Sequence, residues 1–180
     1  MGEPAVQTMT VAEFLQWDDG TDTRYELAAG VPRAMAPASG SHRGLVNNLS
    51  GLIYNALLPR RPCRGENEAG IRIDDRTWWL ADIAVTCREP APETLEPQLI
   101  VEVLSPTTRL HDLGRKLNDY KTLPSVREIW MVDSERRWIQ VWRHQDETWS
   151  GLDFVGTATL ASDVLATTVS FDEIYRDSGV

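Results

Sequence analysis

Apolar and polar positions along this chain follow two different periods. "HRGLVNNLSGLIYNALL" places Leu45, Leu49, Leu52, Ile53 and Leu57 three and four residues apart, which predicts a helix with one apolar face. Upstream, Thr10 and Glu13 in "TVAEFLQW" form a capping box that opens a short helix. "RYELAAGVPRAM" reads as a hairpin turning at Ala29-Gly30, and strands around Gly70–Ile73 and Thr77–Cys87 flank a turn at Asp74-Asp75. A Pro-rich surface connection from Glu89 to Pro97 leads into a strand over 98–104. A helix is expected next, from about Arg109 to Leu123, with Leu110, Leu113, Leu117 and Tyr120 as its apolar stripe. "REIWMVD" and "RRWIQVWRH" form a hairpin through Ser134-Glu135, and short β-structure and a helix near Phe171–Arg176 close the chain. The pattern predicts an α/β (mixed α+β) fold, a mixed sheet flanked by helices, in a single domain over residues 1–180.

Two strands break the usual alternation. "WWLADIAVT" and "QLIVEVL" run apolar on both faces, as strands do when both sides are covered, and each carries one charge: Asp82 in the first, Glu102 in the second. With regular alternation Asp82 shares its face with Leu80 and Ala84, and Glu102 with Ile100 and Leu104. A carboxylate is almost never fully buried unpaired. Either each meets an arginine or a solvent-exposed strand end, or the two share a cation. Hard divalent ions such as Mg²⁺ accept one or two carboxylates, with waters and phosphate oxygens completing the shell.

The chain holds two lysines, Lys116 and Lys121, against sixteen arginines. Asp112 and Lys116 are spaced as an i,i+4 pair on one edge of the predicted stripe, where the plain reading is a surface ion pair that costs the fold little to remove. The net charge of −9 argues against blanket attraction to nucleic acid or anionic membrane, so any basic surface must be local: Arg60, Arg61 and Arg64 after the long helix, and Arg109 and Arg115 near Glu102. The N-terminal residues lack the basic start and apolar stretch of a signal peptide, and no apolar run approaches the roughly 18 residues that span a bilayer. Cys63 and Cys87 are far apart and belong to no CxxC pair, which indicates neither zinc nor a disulfide framework and makes a cytoplasmic, reducing setting the expectation.

"RYELAAG", a histidine opening a helix, "LADIAV", "LIVEVLSPTTRLHDLGRKLNDY" and "VREIWMVD" together resemble the Uma2 (DUF820) family of the PD-(D/E)XK, restriction-endonuclease-like nucleases, over roughly Arg24 to Tyr175. The resemblance implies a restriction-endonuclease-like core and a metal-dependent endonuclease acting on DNA. It implies that Asp82, Glu102 and the backbone carbonyl of Val103 hold Mg²⁺ (or Mn²⁺). Ala81 replaces the proline that precedes the Asp in the superfamily pattern, and Leu104 stands where the strand lysine belongs. In the Uma2 family that lysine has migrated to the following helix, which gives the catalytic role to Lys116, orienting water or contacting a phosphate oxygen. Glu26 and His42 match further family positions as supporting residues, Glu26 as an extra metal or water ligand. Homodimers are expected too, and the hairpin tryptophans Trp130, Trp138 and Trp142 are the candidate contact, unless they cap the sheet within one subunit. A nuclease fold kept as a catalytically inactive binding module, and a hydrolase of smaller phosphodiesters, are the competing expectations.

Overall fold

The computed structural model describes residues 8–89, 95–106 and 112–180. The capping box at Thr10 opens a one-turn helix, α1 (Val11–Phe14), in which Thr10 and Glu13 satisfy each other's backbone N–H groups. The hairpin follows as β1 (Tyr25–Ala28) and β2 (Val31–Ala34). Its turn residues Ala29 and Gly30 both have positive φ, 51° and 83°, the twist that a two-residue hairpin loop requires. Helix α2 (Gly40–Leu57) starts two residues before the predicted one because Ser39 caps it through the N–H of His42, and Leu45, Leu49, Ile53 and Leu57 are buried as the periodicity predicts.

Strands β3 (Arg64–Arg72), β4 (Trp78–Thr86), β5 (Leu99–Leu104), β6 (Glu128–Asp133), β7 (Trp138–Gln145) and β8 (Thr148–Val155) complete one eight-stranded mixed sheet in the order β2-β1-β4-β5-β6-β7-β8, with β3 paired to β4 off that path. β3 begins six residues earlier than its apolar pattern suggests, since "RGENEA" is polar and faces solvent on much of its length. β9 (Thr159–Ser162) and β10 (Thr167–Ser170) form a separate hairpin before the one-turn helix α4 (Phe171–Ile174).

β5 is buried at every residue, in agreement with its unbroken apolar run. Leu99, Val101 and Val103 pack into the core beneath α2, with Trp130, Val132 and residues of β9 and α4. Ile100 and Leu104 face the other way, into a second core with Ile129, Met131, Leu117 and Tyr120. The sheet is thus covered on both faces, and Glu102 belongs to the second.

The segment after β5 departs from its expected form. It is a π-helical turn, Asp112–Lys116, continued by α3 (Leu117–Tyr120), rather than a regular α-helix; Arg109 and Leu110 lie outside the described residues. The wider turn changes which side chains face inward: Asp112 and Lys116 are buried and Leu113 is half-exposed. The surface reading of the Asp112–Lys116 pair is therefore wrong. Cys63 and Cys87 are joined by a disulfide, which corrects the cysteine reading. Arg64 pairs with Thr86 in the β3–β4 ladder, so continuing that register by one residue sets the two cysteines opposite each other, a juxtaposition that their 24-residue separation hides. The hairpin tryptophans are engaged within the chain: Trp130 is fully buried, Trp138 and Trp142 are half-buried, Arg136 lies over Trp138 and Lys121 over Trp142.

Candidate active site at a gap in the sheet

One edge of β4 is hydrogen-bonded along its length by β3, and the other is shared by two strands. β1 pairs it only at Leu27↔Trp78, and β5 only from Ile83↔Val101 to Val85↔Leu99. Between those contacts Leu80 and Asp82 face a gap, where backbone groups must find partners other than a strand. Side chains supply them. Leu80 N–H donates to Glu26 Oε1 at 3.1 Å, and the Leu80 carbonyl accepts from Lys116 Nζ at 3.5 Å. Across the gap, Val103 N–H donates to Asp82 Oδ2 at 2.7 Å. The N–H and C=O of a strand residue point toward the same neighbour, so the Val103 carbonyl faces this gap as well.

Asp82 sits where β4 loses its even alternation. Ala81 packs in the α3-side core and Ile83 in the α2-side core, although regular pleating would put them on one face. The partner strand explains the switch. Glu68, opposite Asp82, has φ 49° and drops out of the ladder between Asn67↔Ile83 and Ala69↔Ala81. A non-glycine residue in this region of φ is strained, and such positions cluster at functional sites. The expectation that Asp82 simply shares the face of Leu80 and Ala84 is replaced by a half-buried position between the two layers. From the α2 side, His42 Nε2 approaches Asp82 Oδ2 at 3.3 Å, while His42 Nδ1 is buried and has no hydrogen-bond partner among the described residues.

On the α3 side the charges converge. Lys116 Nζ lies 2.6 Å from Glu26 Oε1, 3.2 Å from Glu102 Oε1 and 3.8 Å from Asp112 Oδ1, with its side chain 5 % exposed. The ammonium also faces the ring of Trp79 at 6.0 Å. It points into the site, not out to solvent with Asp112 alone. Burial pulls the Lys116 ammonium toward neutrality, but Glu102, Glu26 and Asp112 outweigh it and hold the group well above the usual lysine range. Burial pushes the Glu102 carboxyl well above its ordinary value; Lys116 opposes the rise, and Asp82 and Asp112 add to it. One positive charge thus serves several carboxylates.

Sequence reasoning missed the role of Tyr120. Read as part of an apolar stripe, it is fully buried and its hydroxyl donates to Glu102 Oε1 at 2.5 Å. Burial, then the neighbouring Glu102, push its phenol well above the usual tyrosine value. A phenol among aliphatic stripe residues was the available signal, since a buried hydroxyl needs a partner. Of the expected arginine surface, Arg60 donates to the Val164 carbonyl and Arg64 binds Glu66 and the Arg88 carbonyl, while Arg115 lies over Trp79 beside the site and Arg109 lies outside the described residues. Lys121 lies over the Trp142 ring at 3.0 Å.

The fold resembles the crystal structure of "a putative nuclease belonging to DUF820" from Anabaena variabilis ATCC 29413, with a TM-score of 0.77, 20 % identity, and coverage of 93 % of this chain and 97 % of that one. Among sequences, the uncharacterized protein slr1290 of Synechocystis sp. (strain ATCC 27184 / PCC 6803 / Kazusa) is 28 % identical over 170 residues, covering 91 % of this chain and 90 % of its own. A second protein of that organism, sll1609, is 28 % identical over 139 residues, covering 69 % of this chain and 75 % of its own. The family model Uma2, described as "Putative restriction endonuclease", matches residues 11–172, and with nearly the whole chain matched, this protein belongs to the Uma2 family.

Proposed function

We propose that this chain is a metal-dependent endonuclease that hydrolyses phosphodiester bonds in DNA. The observation that carries the reading is the gap between β4 and β5, where Asp82, Glu102 and Lys116 arrive from three separate elements and take up main-chain and side-chain bonds that a continuous ladder would not need. The family description and the nuclease-like fold support it.

The donor set fits a hard divalent cation such as Mg²⁺ or Mn²⁺. Asp82 and Glu102 stand on adjacent strands, each receives its hydrogen bonds on one oxygen, and among the described residues Asp82 Oδ1 and Glu102 Oε2 have no hydrogen-bond partner. The Val103 carbonyl adds a third oxygen. Among the described residues no three His, Cys, Asp or Glu side chains group as a metal cluster, so water and phosphate oxygens complete such a shell. When bound, the ion supplies neutralisation of phosphate charge and a more acidic water.

The protein's own groups have the task of holding this arrangement. Val103 N–H and His42 orient Asp82, while Lys116 bonds Glu102. Glu26 fixes Lys116 and is tied in turn to the Leu80 N–H, which assigns it a supporting place. Lys116 contributes a permanent positive charge beside the site, favourable to an approaching phosphate. A homodimer would suit cleavage of both strands, with the exposed parts of the half-buried Trp138 and Trp142 available to its contact. Among the described residues no helix is long and apolar enough to cross a membrane.

A second reading, a non-catalytic DNA-binding module, is favoured by one observation: the Lys116 ammonium is already surrounded by three carboxylates. Incubation of supercoiled plasmid and single-stranded DNA with Mg²⁺ or Mn²⁺, against EDTA, separates the two. Divalent-dependent nicking is expected; DNA binding without cleavage under every metal condition selects the module.

A further inference from the structure

Tyr120 and Lys116 both donate to the same oxygen of Glu102, Oε1, at 2.5 and 3.2 Å. Among the described residues, Oε2 receives no donor. The terminal torsion of a glutamate is otherwise broad, and a carboxylate without such contacts would turn freely. Here rotation would surrender at least one of two bonds made in a dry environment, where an unpaired polar group is costly. Lys116 already supplies the positive charge that Glu102 needs, so the phenol is not required for neutralisation. A phenylalanine would fill nearly the same volume without burying a hydroxyl.

We infer that Tyr120 is a positioning residue that fixes Glu102 so that Oε2, not Oε1, is the oxygen offered to a divalent cation. The inference rests on the metal-dependent reading above and adds to it a specific orienting group and a specific ligand atom. Groups that orient metal-binding carboxylates typically contribute 10- to 100-fold in metal affinity or activity.

The test is calorimetric titration of MnCl₂ into the purified full chain. The wild type should bind Mn²⁺, Glu102→Gln should not, and Tyr120→Phe should bind with a dissociation constant raised about tenfold or more. A merely structural tyrosine would lower the melting temperature and leave the Mn²⁺ affinity of the folded protein unchanged, and that result overturns the inference alone. Absence of Mn²⁺ binding by the wild type overturns the metal-dependent reading and the inference with it. Should Tyr120→Phe fail to fold, the wild type labelled with 3-fluorotyrosine provides an independent readout, its four tyrosines (Tyr25, Tyr54, Tyr120 and Tyr175) being assigned by elimination with Phe variants of the other three. The Tyr120 fluorine resonance should move on addition of MgCl₂, and should not move in Glu102→Gln. An unmoved wild-type resonance contradicts the inference.

Discussion

Glu102 and Glu128 are the same side chain, buried to 3 % and 2 % exposure, on neighbouring parallel strands of one sheet. Glu128 faces the side of the sheet covered by β9 and has every oxygen committed. Its Oε1 accepts from Arg143 Nε and the Asp163 N–H, each at 3.2 Å, and its Oε2 from Ser162 Oγ at 2.5 Å. It has an arginine partner and pins the β9 region to β6. Glu102 faces the opposite layer, shares one ammonium with Glu26 and Asp112, and leaves one oxygen without a hydrogen-bond partner among the described residues. Burial of a carboxylate is therefore not itself the mark of a site. The mark is a cation shared among carboxylates together with an oxygen that, among the described residues, accepts no hydrogen bond.

That contrast can be broken at four positions. The largest effect is expected from Glu102→Gln, which should lower divalent-dependent cleavage by about 10³-fold or more while the fold persists. The same variant carries a pH signature. Because the folded-state value of Glu102 lies above its ordinary 4.5, the folded protein binds a proton there that the unfolded chain releases. In EDTA, wild-type stability should fall as pH rises from about 4.5 through the folded-state value, and Glu102→Gln should remove that slope in chemical denaturation.

Lys116→Met comes next. It strips the cation from three carboxylates in a buried cluster and should cost about 3–5 kcal/mol of stability as well as activity, far more than the surface substitution that the sequence suggested. Glu128→Ala should cost somewhat less, about 2–3 kcal/mol, because the Arg143 side chain left behind is 20 % exposed and can be partly hydrated. Its cleavage rate per folded molecule should match the wild type, the reverse of Glu102→Gln. The smallest effect belongs to Lys121→Ala, which removes a cation over the Trp142 ring and should cost about 0.5–1 kcal/mol, with cleavage retained.

Asp82 and Glu102 were legible because each is the lone charge in an apolar run, a pattern that burial makes costly. The hairpin turn at Ala29-Gly30 and the capping box at Thr10 were legible for local reasons as well, since turn conformation and capping bonds act over three or four residues. What escaped depended on long-range geometry. The π-helical turn changed the phase of Asp112–Lys116 and buried a pair that α-helical spacing left on the surface. The switch of faces at Asp82 comes from Glu68 on another strand, and the cysteine pair from strand register. Tyr120 fitted the apolar stripe so well that its hydroxyl went unused in the reading. The tryptophan pattern was equally consistent with a dimer contact and with a capped sheet; packing buries Trp130 within the chain and leaves Trp138 and Trp142 half-buried.

The most direct measurement is a crystal structure of the wild-type protein grown with MnCl₂, with data collected at a wavelength where manganese scatters anomalously. One anomalous peak bound by carboxylate oxygens of both Asp82 and Glu102, with the Val103 carbonyl beside it, is the expected result. A map with no peak in the gap between β4 and β5, or with manganese held only by groups elsewhere on the chain, would contradict the assignment of this gap as a metal-dependent nuclease site.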